Sequence, residues 1–238
     1  KYSLLPLHLK DDELIGGNGL IEAGTFLSIL FGTIFGGLVI RTEFGLPLLA
    51  AFLVGFSIVG WFSSRSIPEA PPSDPNLNVG WNIFRETWQI VAFARQERSV
   101  WLSIIGISWF WFVGATFLTQ FPVFTSEVVG GNEHIVTLFL ALFSIGICVG
   151  SKVCKKLLKG EINGKLVPHG SFGMTISIAL FVACAYQYGV DRIDYAADAG
   201  FARSHELGLL EFFDVGLSSW GIIIGLLGLS VFAGLYIV

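Results

Sequence analysis

Residues 102–124 read LSIIGISWFWFVGATFLTQFPVF, with no charged side chain and no polar face. A helix on the surface of a water-soluble protein carries an apolar stripe on one side and polar residues on the other. Here the polar groups are scattered singly: Ser103, Ser108, Thr116, Thr119 and Gln120. A hydrocarbon layer about 30 Å thick takes about 20 apolar residues as helix, at about 1.5 Å rise each. The stretch is therefore expected to cross a bilayer.

Five more runs of the same kind flank it, at 14–40, 46–63, 135–151, 172–190 and 215–238. With 100–125 they contain one charged side chain, Glu22. A mean hydropathy of +0.73 with 13% charged residues extends that character to the whole chain. The expected fold class is all-α, a polytopic transmembrane bundle of about six spanning helices. Lys1 at the start, Met174 as the one methionine and the apolar run 232–238 at the end are what a piece of a longer chain would show. Cys148, Cys154 and Cys184 lie within or at the ends of spans, and read as buried reduced thiols rather than a disulfide framework.

Charge sorts the connections into two sets. Segments 1–13, 64–99 and 152–171 hold eleven of the fourteen Lys and Arg, while 41–45, 126–134 and 191–214 hold Arg41, Arg192 and Arg203. The second set also carries nine of the eighteen acids, six of them in 191–214. Retention of Lys and Arg on the cytoplasmic side puts the first set inside, together with both ends of the chain. The basic loops then follow from topology and anionic headgroups, so no nucleic-acid partner is expected.

Between the second and third spans, 66–75 (SIPEAPPSDP) holds four prolines and cannot be regular helix. Residues 78–98 then place Trp81, Phe84, Trp88 and Val91 on one face, the pattern of an amphipathic helix lying at the membrane surface. Gly32-xxx-Gly36 and Gly146-xxx-Gly150 are small-residue pairs that suit close helix packing. The acidic connection 191–214 is expected to hold a short surface helix near 202–212.

Candidate functional residues are the few polar groups inside spans. A carboxylate at mid-membrane is costly unless it meets water or a partner. Asn18, Glu22 and Thr25 form a polar stripe about two turns long. It fits a gate or a substrate-headgroup contact, and equally a polar tie between helices. On the third span Thr116 and Gln120 sit one turn apart and could line a cavity. Pro122 beyond them could break or kink the helix. No enzyme is expected. His8, His134, His169 and His205 lie in loops or at span ends without metal-ligand spacing. The His-x4-Asp pattern of acyltransferases is absent, since the fifth residue after each histidine is Glu13, Phe139, Met174 or Leu210. No cofactor or metal is called for.

The run LPLHLKDDELIGGNGLIEAGTFLSILFGTIFGG resembles the fifth helix, with its preceding loop, of the lysophospholipid transporter branch of the major facilitator superfamily. The matching positions are Lys1, Tyr2, Leu5, Pro6, Asn18, Gly19, Leu20, Ile21, Glu22 and Ala23. Residues 108–122 (SWFWFVGATFLTQFP) resemble the seventh helix of that branch, especially of members fused to an acyltransferase and an acyl-carrier-protein ligase. Residues 150–159 resemble its loop between helices eight and nine. Where some members carry an arginine on the seventh helix, this chain reads Phe117-Leu118-Thr119-Gln120, and its loop 191–214 is longer. The resemblance implies a partial major-facilitator fold covering helices five to ten. Residues 1–63 would end the first half, 64–99 would be the cytoplasmic linker and 100–238 would start the second half. It also implies transport of lysophospholipid across a bacterial inner membrane by alternating access, with Lys1 and Glu22 as the matched charges that matter. The partners would be membrane lipids, the lysophospholipid and fused or associated acyltransferase domains. Two other readings stand beside it: a transporter of a small soluble solute or drug, and a non-transporting platform for a fused acyltransferase.

Overall fold

The computed structural model describes residues 4–40, 42–69, 80–159, 164–201 and 205–237. These form helices α1 (Leu5–His8), α2 (Asp11–Ile40), α3 (Gly45–Ser64), α4 (Ile83–Ala94), α5 (Arg98–Phe124), α6 (Glu133–Leu158), α7 (Val167–Asp198), α8 (Leu209–Asp214) and α9 (Leu217–Ile237). Six of them, α2, α3, α5, α6, α7 and α9, are long and apolar enough to cross a membrane. Among the described residues the one β-type pairing is an isolated bridge between Gly131 and Leu207. The chain is an all-α, multi-pass membrane protein.

Solvent-facing chemistry supports that reading. On α3 the side chains of Leu46, Val54, Phe56, Ile58, Val59 and Phe62 are all exposed, and they lie all round the helix. Water would penalise each one, whereas a hydrocarbon surround would not.

The contacts divide the chain into two compact units, Lys1–Ser66 with Leu118–Val238, and Ile67–Phe117. The larger is built on three pairings: α7 with α9 and α2 with α6, both antiparallel, and α6 with α9, which run parallel. The tightest approach is between α6 and α9. A methyl group on Gly150 would overlap the Val231 carbonyl oxygen, and one on Gly146 would overlap the Ser230 side chain. Gly234 returns the contact against the Ile147 carbonyl and the Ser151 nitrogen. With no Cβ between them the backbones touch, and dispersion contacts hold the pair where lipid offers no hydrophobic drive. Gly32 and Gly36 behave differently, for a methyl group on either would meet nothing within 4 Å. Among the described residues the first small-residue pair meets no partner helix.

Aromatic rings fill the rest of the larger unit. Phe26 of α2 meets Phe143 of α6 edge to face at 5.8 Å, Phe121 lies against Phe139 and Phe143, and Phe212 of α8 lies against Phe139 and Tyr188. Such offset ring pairs add roughly 0.5–1.5 kcal/mol each beyond the area they bury.

In the smaller unit α4 begins at Asn82, whose side chain accepts the Arg85 N–H at 3.1 Å. Its apolar face is present as expected, with Trp81, Phe84 and Trp88 exposed. The helix is shorter than 78–98, because the chain turns at 95–97 before α5 starts. Arg95 lies over the Trp101 ring at 5.3 Å. Residues 70–79 of the proline-rich linker lie outside the described residues.

The helix α5 does not break at Pro122. Three residues later it widens into a π turn, Thr125–Val129, which ends on Gly130 in the left-handed region at φ 65°. A π turn absorbs one extra residue without ending the helix, and often marks a place where packing dictates the winding.

Candidate functional site

The face of α2 that meets α6 carries Ile15, Glu22, Phe26 and Leu30, all buried and spaced at three- to four-residue intervals or their sum. Glu22 is 3% exposed, so the one charge inside the expected spans is enclosed by protein. Two contacts fix the register around it. Towards one end Gly16 lies under the Lys155 side chain, and a methyl group there would come within 2.7 Å of Lys155 Nζ. Towards the other, the Ser144 hydroxyl donates to the Phe26 carbonyl at 3.3 Å. Glu22 therefore sits between a lysine and an aromatic plug on the α2–α6 seam.

Of the expected stripe, Asn18 and Thr25 flank Glu22 and are half-buried. The Thr25 hydroxyl donates to the Ile21 carbonyl at 2.8 Å, which folds its polarity back onto its own helix. Thr25 also borders an open groove of about 650 Å³ along α2, lined by Ile21, Gly24, Ser28 and Ile29. Thr116 and Gln120 are exposed on α5, and the Thr116 hydroxyl donates to Phe112 at 2.9 Å. Lys1 lies outside the described residues. Cys154 is buried and Cys148 and Cys184 are half-buried, all three as free thiols.

A second polar region was not read from the sequence. It caps the end of the bundle where α7 finishes and α6 and α9 begin. The loop residue Leu207 donates to Gly130 at 2.8 Å and accepts from Asn132 at 3.0 Å, tying the α7–α8 connection to the turn between α5 and α6. Arg192 of α7 donates to the Val128 carbonyl at 3.0 Å. Asp191 accepts from Gln187 at 2.8 Å and from Ser218 of α9 at 2.6 Å. His205 lies 3.2 Å from the Glu211 carboxylate, which also accepts the Gly208 N–H at 2.7 Å. That N–H, with the neighbouring imidazole helping, holds the Glu211 carboxyl below the ordinary glutamate range. The sequence signals were weak: Gln187 four residues before Asp191, and Gly208 three before Glu211. The backbone pairing of 130–132 with 207 left none.

The short α8 at Leu209–Asp214 stands in place of the surface helix expected near 202–212. Gly208 sits at its start because Glu211 reaches back to the Gly208 N–H. Upstream, α7 runs on to Asp198 and takes up much of the segment read as loop.

Comparison with known proteins gives the chain a context. The chain is 27% identical over 177 residues to a protein of Escherichia fergusonii named Lysophospholipid transporter LplT, a match covering 71% of this chain and 43% of that protein. The chain is similar to lysophospholipid transporters. Proteins of the same name from Escherichia coli O1:K1 and Shigella sonnei are 28% identical over 178 residues, again 71% of this chain and 43% of theirs. The match thus takes in less than half the length of these relatives. No family model matches the chain, and no solved structure matches it.

Proposed function

We propose that this chain is part of a transporter that moves lysophospholipid across a bacterial inner membrane. The observation that carries the reading is the similarity to proteins named lysophospholipid transporters, which runs over 71% of a chain with six membrane-crossing helices. The fold in this proposal is a partial major-facilitator fold, with 1–63 closing one half, 64–99 linking and 100–238 opening the other. Transport proceeds by rocking of the two halves about a midplane cavity. The α2–α6 seam belongs to both halves, so a buried carboxylate there is placed to sense their relative motion.

Within that scheme Glu22, with Asn18 and Thr25, takes the gating or headgroup role, and Lys1 is the other matched charge assigned to substrate or gating. Thr116 and Gln120 line the substrate path. Acyl chains pass along apolar surface, for which the exposed aromatic residues of α5 are suited. Lipids are the surround and the lysophospholipid is the substrate; acyltransferase domains, fused or associated, are the partners that would use the product. The relatives are named as transporters, and chemistry on the substrate is assigned to those partners.

The test is reconstitution of the full-length protein in vesicles with a fluorescent lysophosphatidylethanolamine in the outer leaflet. Protein-dependent loss of the label from the outer leaflet supports the proposal. Translocation at the rate of protein-free vesicles refutes it, and competition by soluble solutes would favour the solute transporter instead.

A further inference from the structure

The bundle end described above holds a cleft of about 550 Å³ between the last turns of α7 and the loop leading to α8. Arg192, Ala196 and Ala197 form one wall, and Phe201, His205 and Leu207 the other. Arg192 is anchored rather than loose. One guanidinium nitrogen donates to Val128, and the group lies across Gly130, where any side chain would displace it. Arginine has five N–H donors in a flat fork suited to phosphate, and Val128 takes one of them. His205 stacks on Phe201 at 4.1 Å, giving the opposite wall a flat apolar lining.

The depth of this cleft follows from helix length. The 32 residues of α7 make about 48 Å of helix, against about 30 Å of hydrocarbon. The apolar run 172–190 ends two residues before Arg192, so the guanidinium sits at headgroup level and the small residues Ala196 and Ala197 lie beyond it. By the charge count this is the outer side. Among the described residues that line the cleft Arg192 is the one permanent charge, and it suits the phosphate that every phospholipid head carries.

We infer that this cleft binds the phosphate head of a single-chain phospholipid on the outer leaflet, with Arg192 on its phosphate, as a docking site before transport. The inference rests on the transport reading for its substrate class and adds the site and the residue that holds the head.

The experiment is photocrosslinking in vesicles of the full-length protein, which needs no transport. A lysophosphatidylethanolamine with a photoreactive head is the probe, and adducts are mapped by mass spectrometry. Adducts within 192–207 are expected. They should fall about tenfold in Arg192→Gln, the loss that one charge-assisted hydrogen bond brings. They should fall as far in Ala196→Trp, which fills the cleft and leaves the arginine, and recover in Arg192→Lys. Unchanged burial of Cys154 in each variant certifies the α6–α9 packing, and unchanged hydrogen exchange at the Leu207 amide certifies the cap. No adduct within 192–207, or equal adducts in Arg192→Gln and Ala196→Trp, overturns the site. Competition by glycerophosphoethanolamine as strong as by the lysolipid overturns the amphiphile assignment. Adducts at the cleft in vesicles that show no translocation would support the site while removing the transport reading.

Discussion

Replacing Gly150 by valine puts a side chain where α6 and α9 touch backbone to backbone. The first added carbon overlaps the Val231 carbonyl oxygen and comes to 3.0 Å from the Gly234 Cα. Neither neighbour is a flexible side chain that could swing aside, so the helices must separate or α6 must rotate. Overpacking of this kind costs roughly 1–3 kcal/mol. Valine recovers a few tenths of that, being a somewhat better helix former than glycine. For a chain of this size each kcal/mol shifts the melting midpoint by about 2–4 °C, so a fall of about 2–12 °C is expected. Cys154, 1% exposed and one turn further along α6, reports the opening of this seam. The assay is reaction of a thiol-specific fluorophore on heating, in a Cys148→Ala, Cys184→Ala background. Gly189→Ala on α7 is the control, because a methyl group there meets nothing within 4 Å. It should leave the midpoint unchanged or raise it. A Gly150→Val midpoint at or above the background, or an equal fall in Gly189→Ala, would refute the backbone contact.

Glu22→Gln should lower lysophospholipid translocation at least tenfold with the Cys154 midpoint held within a few degrees; full transport in that variant would remove Glu22 from the gate. Tyr188 is fully buried and its hydroxyl has no hydrogen-bond partner among the described residues. Tyr188→Phe is therefore expected to be neutral or to raise stability by up to about 1–3 kcal/mol, and a midpoint lowered by more than a few degrees would contradict it. Because Glu211 is held below its ordinary value near 4.5, its contribution to the loop is fully present above that value and is lost as pH falls through the lowered one. Hydrogen exchange at the Gly208 amide should stay slow down to about pH 4.5 and accelerate only below it. The Glu211→Gln variant should lose that step, and a step at neutral pH in the parent would contradict the assignment.

The spans were legible because an apolar run of about 20 residues has few other fates. Their ends were not. The run 135–151 stops where Lys152, Lys155 and Lys156 begin, yet α6 continues to Leu158. Lysine is a good helix former whose long side chain can lead its charge out to water, so a helix need not end where its hydrophobicity does. The acidic segment after 190 misleads in another way: aspartate is a weak helix former, yet three of them lie on the last turns of α7, so propensity alone does not set that end. Of the two small-residue pairs only Gly146 and Gly150 find a partner helix, and a motif alone does not say what faces it. Glu22 stood out by its type and position, and the fold that buries it on the α2–α6 face could not be read from its neighbours in sequence. The cap built from Gly130, Asn132, Arg192 and Leu207 depends on backbone groups distant in sequence, which no local pattern encodes.

Membrane sidedness decides whether these helices thread a bilayer with their basic connections inside. Single cysteines at Lys155 and Asp194, which lie towards opposite ends of the bundle, can be probed in spheroplasts with a membrane-impermeant maleimide. Asp194→Cys should react in intact spheroplasts, and Lys155→Cys only after permeabilisation. Reaction of both from the outside, or of neither until lysis, would contradict the topology from which the gate, the outer cleft and the transport reading all follow.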